Sequence, residues 1–163
     1  MCVWVRGFGV EMEPSRLTAD EVRDLTRLHA ELEIAGDYEP LLATLVAEPI
    51  FEFHPPGGQL IGGETLRRYY TRFLAEFMPL VEETILIGEW ANESACVHEY
   101  QIRLRIDGVI ENHQLVGSIY ASGDRLGGER LYGSAGLMEW MLGPFESELV
   151  PIEGVTPWAL PPP

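Results

Sequence analysis

From Val97 to Ile106 the chain alternates apolar and polar residues without a break. His98, Tyr100, Ile102, Leu104 and Ile106 fall on one side, and Glu99, Gln101, Arg103 and Arg105 on the other. Period-two alternation is what a strand with one buried face requires, because successive side chains point to opposite sides. Asp107-Gly108 follows, a pair suited to the positive φ angles of a tight hairpin turn. With those two residues as the loop, Ile106 opposes Val109, Leu104 opposes Glu111 and Ile102 opposes His113. Tyr100 then opposes Leu115, and His98 opposes Gly117. The buried face of this hairpin carries two histidines and a tyrosine among aliphatics. A further strand, roughly Arg125 to Tyr132, completes a three-strand stretch from Val97 to Tyr132.

Upstream the period changes to that of helices. Thr18-Ala19-Asp20-Glu21 is a capping box, in which side chains satisfy two otherwise unpaired amides. Val22, Leu25, Leu28, His29 and Leu32 then recur on one helical stripe, and Gly36 supplies the stop. Asp37 is placed to cap a second short helix with Leu41, Leu42, Leu45 and Val46 as its apolar face, ended by Pro49. Ile50 to His54 reads as a short strand, Pro55-Pro56-Gly57-Gly58 as a turn, and Gln59 to Ile61 as a return strand. A third helix is expected from Glu64 to Met78, with Leu66, Tyr69, Tyr70, Phe73, Leu74 and Phe77 on its apolar side and Pro79 stopping it. Leu80 to Trp90 reads as a long strand, turning at Ala91-Asn92-Glu93. Leu137 to Phe145 is apolar enough that Trp140, Met141 and Leu142 are expected to cover an opening of the sheet or a partner. The order implies an α+β fold, with helices segregated to one side of a curved antiparallel sheet. Residues 1–16 read as an N-terminal arm, 17–145 as the domain and 146–163 as a Pro-rich tail.

Charge narrows the function. The 163 residues carry a formal net charge of −15, with the acids spread along the chain. Such a surface repels phosphate backbones and anionic lipid, so neither nucleic acid nor a membrane is an expected partner. No apolar run approaches the roughly 18–20 residues a membrane helix needs. Arg6, Gly7 and Gly9 break the apolar N-terminus, which lacks the pattern of a signal peptide. Cys2 and Cys96 show no metal or disulfide spacing, which fits a reducing cytoplasm.

Four stretches carry a family resemblance: Leu32 to Tyr38 (LEIAGDY), Ile50 to Pro55 (IFEFHP), Ile61 to Tyr70 (IGGETLRRYY) and the three-strand stretch. Over roughly residues 17–145 the chain resembles the nuclear transport factor 2-like superfamily, in particular its SnoaL-like, polyketide-cyclase-like branch. The resemblance implies a cone-shaped, curved antiparallel (mixed) sheet wrapped around helices, a deep cavity and a homodimer. Against the ketosteroid isomerases of that superfamily, His29 stands in the place of the oxyanion tyrosine of the first helix. His54, before Pro55, stands where their general-base aspartate does. The place of their second oxyanion acid falls near Gly117, where no side chain can donate a proton, so the isomerase triad is absent in type. Glu111-Asn112-His113 resembles the Glu-Asn-His of phenazine-biosynthesis A/B proteins, whose next acidic residue falls at Leu131, with Glu129 nearby.

Imidazoles titrate near neutrality, so four histidines offer proton transfer without a cofactor. His54, His113 and His29 are the expected acid/base residues of one shared cavity. His98, Tyr100, Tyr69, Phe73, Ile102, Leu104 and Leu115 are the expected substrate-binding walls. No HxH, HExxH or His-Cys spacing points to a metal, and no cofactor is implied. Two readings stay open: a cofactor-independent isomerase, cyclase or hydratase acting on a hydrophobic carbonyl-bearing or cyclic metabolite, or a non-catalytic ligand-binding or dimerisation module. Dimerisation would use the sheet face bearing Gln101, Arg103, Gln114 and Val116.

Overall fold

The computed structural model describes residues 13–156. The capping box forms as expected: Thr18 Oγ1 accepts from the Glu21 amide while the Glu21 carboxylate accepts from the Thr18 amide, opening α1 (Ala19–Ala35). Gly36 closes it at φ 72°, a left-handed turn that favours glycine. Val22, Thr26 and His29 are the buried residues of α1. Leu28, expected on that stripe, is 46% exposed.

The second helix is shorter than the apolar pattern suggests. α2 (Tyr38–Ala43) ends at Thr44, and Leu45 and Val46 instead begin β1 (Leu45–His54). Leu45 pairs with Leu126 of a distant strand, a tertiary contact that overrides the helical spacing from Leu41. Pro49 lies within β1 where its register shifts, since proline has no amide for the ladder. β2 (Gly58–Ile61) returns after the Pro-Gly turn. α3 (Gly63–Arg72) gives way to a π-helical turn at Phe73–Phe77 and a 3-10 turn at Met78–Leu80 containing Pro79, so the helix expected to reach Met78 changes hand-hold at Phe73. The wider π turn leaves Phe73 and Phe77 buried with ring centroids 4.8 Å apart.

β3 (Val81–Ala91), β4 (Ala95–Ile106), β5 (Val109–Ser122) and β6 (Arg125–Gly133) form the long antiparallel strands. Every hairpin pair expected around Asp107-Gly108 is present, from Ile106 opposite Val109 to His98 opposite Gly117. The chain continues through α4 (Ala135–Leu142), a 3-10 segment at Gly143–Glu148 and β7 (Val150–Pro151). Met141 and Leu142 of α4 are buried, whereas Trp140 faces outward. The segment expected as a tail contributes β7, which pairs with β2, and a buried Ile152.

The sheet order is β3-β4-β5-β6-β1-β2-β7, mixed because β1 runs parallel to β6. Its inner face packs Phe51, Phe53, Leu104, Leu126 and Leu131 against Leu66, Tyr69, Tyr70 and Phe73 from α3 and the turn after it. Helices thus fill the hollow of the curved sheet, and the fold is α+β.

Candidate active site

Two concavities lie on opposite sides of the sheet. The outer one is an open depression of about 820 Å³ lined by His54, Glu99, Gln101, His113, Gln114 and Tyr132, among others. The inner one is a narrower cavity of about 90 Å³ between the sheet, α1 and the π turn. His29, His98, Tyr100, Tyr69, Phe73, Ile102 and Leu115 all line the inner cavity. Leu104 does not; it is fully buried in the core beside it.

His54 and His113 are therefore brought together, but away from His29. Phe51 and Phe53 turn into the core, and strand alternation sends His54 outward. There it stacks on Tyr132 at 4.5 Å, with Nε2 3.7 Å from the Glu52 carboxylate. His113 has both nitrogens engaged, Nε2 with Glu111 at 3.1 Å and Nδ1 with Ser134 Oγ at 2.8 Å. Ser134 is the N-cap of α4, so His113 ties that helix start to β5.

The ionisable groups that do face the inner cavity include two carboxyls absent from the expected set. Glu33 comes from α1, one turn after His29, and Glu129 from β6, in phase with inward Leu131. Neither carboxyl has a hydrogen-bond partner among the described residues. Loss of solvation raises the Glu33 pKa to about 7, although a quarter of its side chain remains open at the cavity mouth. Glu129 is pushed well above the carboxylate range, first by burial and then by the charge of Glu33. The expected place of an acid near Gly117 is not empty of chemistry. A Cβ on Gly117 would collide with Oε1 of Glu129, so the neighbouring strand delivers its carboxyl into the room the glycine leaves. A signal for each acid existed in the sequence: Glu33 extends the stripe Val22, Thr26, His29, and Glu129 precedes Leu131 by two.

Both cavity histidines are biased toward the neutral form by burial and fixed in orientation. Thr44 donates its hydroxyl proton to the Leu41 carbonyl at 2.6 Å, so its oxygen accepts from His29 Nδ1–H, also at 2.6 Å. His29 Nε2 is then the acceptor for the Tyr70 hydroxyl at 3.1 Å. Burial lowers the His29 pKa to about 4. His98 has the opposite tautomer. Its Nε2–H donates to the Glu89 carboxylate at 3.0 Å, and Nδ1 accepts from the Tyr100 hydroxyl at 2.6 Å. Burial lowers the His98 pKa, against the pull of Glu89.

Glu89, Cys96 and His98 bring ligand-type atoms within 4.8 Å of one another. Arg27 already forks onto Glu89 at 2.6 and 2.9 Å, and Arg23 lies 3.6 Å away, so this carboxylate has its cations.

No family model matches the chain, and no curated protein does. Solved structures do. A nuclear transport factor 2-like protein from Anabaena variabilis superposes with a TM-score of 0.60 at 19% identity, covering 72% of this chain and 92% of the other. Bal32a, from a soil-derived mobile gene cassette, gives 0.62 at 14% identity, covering 75% and 95%. An epoxide hydrolase of the LEH-like type from Mycobacterium tuberculosis gives 0.59 at 17%, covering 77% and 90%. The chain has the nuclear transport factor 2-like fold.

Proposed function

We propose that the protein is a cofactor-independent acid/base enzyme of the SnoaL-like type, an isomerase, cyclase or hydratase, acting in the inner cavity on a compact, largely apolar, carbonyl-bearing metabolite. The observation that carries this is the pair Glu33 and Glu129, two unpartnered carboxyls of unequal acidity facing one apolar cavity. Environments that push two carboxyls apart separate an acid from a base. Glu129, biased toward its neutral form by burial, donates to the substrate oxygen as charge develops there. Glu33, which titrates near neutrality, exchanges a proton with the substrate and then with water at the mouth. Phe51, Phe77, Ile102 and Ile119 supply a wall that keeps the bulk solvent out. About 90 Å³ is the space of some three waters in the liquid. The substrate is therefore small, or Met78 and Met141 in the lining move aside for it. The epoxide hydrolase among the structural neighbours also makes small-molecule chemistry in such a cavity a reasonable expectation.

The test is proton exchange. Small cyclic enones incubated with the protein in D2O should gain deuterium next to the carbonyl, followed by NMR. Glu129→Gln and Glu33→Gln should each slow exchange by about 10²–10⁴-fold. Exchange at the buffer rate across the panel would leave the non-catalytic binding module as the better reading.

We also propose a cytoplasmic homodimer, formed through the outer sheet face around Gln101, Gln114 and Val116. No helix of the described residues is long and apolar enough to cross a membrane. Light scattering at high micromolar concentration should give twice the chain mass; a monomer mass refutes the dimer.

A further inference from the structure

Of the three tyrosines that line the inner cavity, Tyr70 and Tyr100 each donate to a buried histidine, but the two chains end differently. The chain from Tyr70 runs through His29 and Thr44 to the Leu41 backbone carbonyl. A carbonyl there takes no proton, so that chain is closed. The nearest carboxyl, Glu33, lies 4.0 Å from the His29 nitrogen that Tyr70 already occupies. The chain from Tyr100 runs through His98 to Glu89, whose carboxylate Arg27 holds in its charged form, with Arg23 3.6 Å away. An imidazolium formed at His98 would sit directly against that carboxylate.

We propose that Tyr100, assisted by His98 and Glu89, is a second proton-accepting group of the cavity, on the wall opposite Glu33. This deepens the acid/base reading and rests on it. A proton can move between two positions of one substrate through a single base or through two groups on separate walls, and this cavity has the two groups. Glu33 stands on α1 and Tyr100 on β4. Because the Tyr100 proton points to Nδ1 of His98, the phenol oxygen turns its lone pairs elsewhere and is free to accept. In the step, the substrate C–H bond breaks toward the Tyr100 oxygen while the phenol proton passes to Nδ1 of His98. The electron pair stays on the substrate as an enolate, which Glu129 protonates on oxygen. His98 is then an imidazolium between Tyr100 and Glu89, and reversal of the transfer restores the resting state. The logic is that of a carboxylate–imidazole pair activating a hydroxyl, with a phenol in place of an alcohol. His98 and Glu89 act through Tyr100 and are positioning residues.

A small sulfonyl fluoride reads this arm without any substrate. Methanesulfonyl fluoride forms an S–O bond to a phenol and breaks its S–F bond; fluoride departs, and the phenol proton passes to His98 and on to water. Labelling sites and rates are read by peptide mass spectrometry, with circular dichroism and thermal unfolding reporting the fold. Tyr100 should be labelled ahead of Tyr70 in the native protein. The rate should fall by about 10²–10⁴-fold in His98→Gln. Glu89→Gln should fall at least about tenfold, because the amide keeps an acceptor for Nε2–H but not the charge. Should His98→Gln fail to fold, Glu89→Gln decides the matter. His113→Gln, outside the cavity lining, should label like the native protein. An unchanged rate in the folded His98 and Glu89 variants, labelling confined to Tyr70, or no label on Tyr100 each overturns the proposal. No ketone is present in this assay, so its failure leaves the exchange experiment standing, and the reverse holds too.

Discussion

Gly117 and Glu129 share one volume: a Cβ on the glycine would collide with Oε1 of the glutamate, although the two residues lie on adjacent strands. A half-buried carboxyl reaches the cavity because its neighbour has no side chain. Gly117→Ala should therefore displace the carboxyl and cost about 1–3 kcal/mol by overpacking. In a Glu129→Ala background the same change should cost close to nothing, since the colliding atoms are gone. Chemical denaturation of the four-member cycle measures this, and additive effects would show that the two groups do not compete for space.

Arg72 couples the end of α4 to the π turn. Its guanidinium donates to the carbonyls of Trp140 and Met141 at 2.9 and 2.7 Å, and Nε bonds Glu76 at 2.9 Å. Those carbonyls lie in the last turn of α4, where no helical amide remains for them. Arg72→Met keeps the apolar stem and removes the donors, so its cost isolates the hydrogen bonds. We expect a loss of about 1.5–3 kcal/mol, read from urea unfolding, because the guanidinium is mostly buried beside α4.

Much of the sheet was legible because its signals are local. The strict alternation of Val97 to Ile106 and the two-residue Asp107-Gly108 turn together specify register, and a one-residue slip would expose Leu104. Glu129 was harder to see. The register of β6 shifts beside Gly128, whose φ is 147°, so Leu126 and Leu131 are both buried although five residues apart. Alternation read across that bulge misplaces the acid. Glu33 looked like any acid near a helix end, and only the closing of the sheet over α1 removes its solvent. His54 was placed by analogy with an aspartate before a proline, while the inward pair Phe51 and Phe53 already sent it to the outer face. Leu45 and Val46 fit a helical stripe as well as a strand, and pairing with Leu126 decided between them.

The two faces of the sheet make opposite predictions for histidine variants. His54→Gln and His113→Gln should leave proton exchange within about twofold of native, because His54 turns to the outer depression, His113 is held by Ser134 and Glu111 at the far end of the hairpin, and neither lines the inner cavity. His29→Gln should lower exchange by releasing Tyr70 from its fixed orientation. Exchange lost in His54→Gln with the fold intact would move the chemistry to the outer face. The same enone assay reads all three.

The half-buried acids and the buried imidazoles pull stability in opposite directions with pH. Glu33 titrates near 4.5 in the unfolded chain and about 7 when folded. Between those values the native state binds more protons than the unfolded state, so stability falls as pH rises. The difference of about 2.5 units corresponds to at most about 3–4 kcal/mol, less what partial exposure at the mouth returns. His29 titrates near 6.5 unfolded and about 4 when folded. There the unfolded state binds more protons, and stability rises as pH rises from 4 to 6.5. The lowered pKa of His98 acts in the same sense as His29. The raised pKa of Glu129 acts in the same sense as Glu33. Between about pH 4.5 and 6.5 the two acids and the two imidazoles oppose one another; below that window the imidazoles dominate, and above it the acids do. Stability should therefore be nearly flat in that window and decline on either side. In Glu33→Gln the fall toward pH 7 should shrink, and the slope between about pH 4.5 and 6.5 should be more positive than in the native protein, with Glu129 still opposing the imidazoles. Urea unfolding at half-unit steps from pH 4 to 8 measures both curves. Superimposable profiles for the native protein and Glu33→Gln would show that this carboxyl does not carry the raised pKa on which its role as a proton carrier depends.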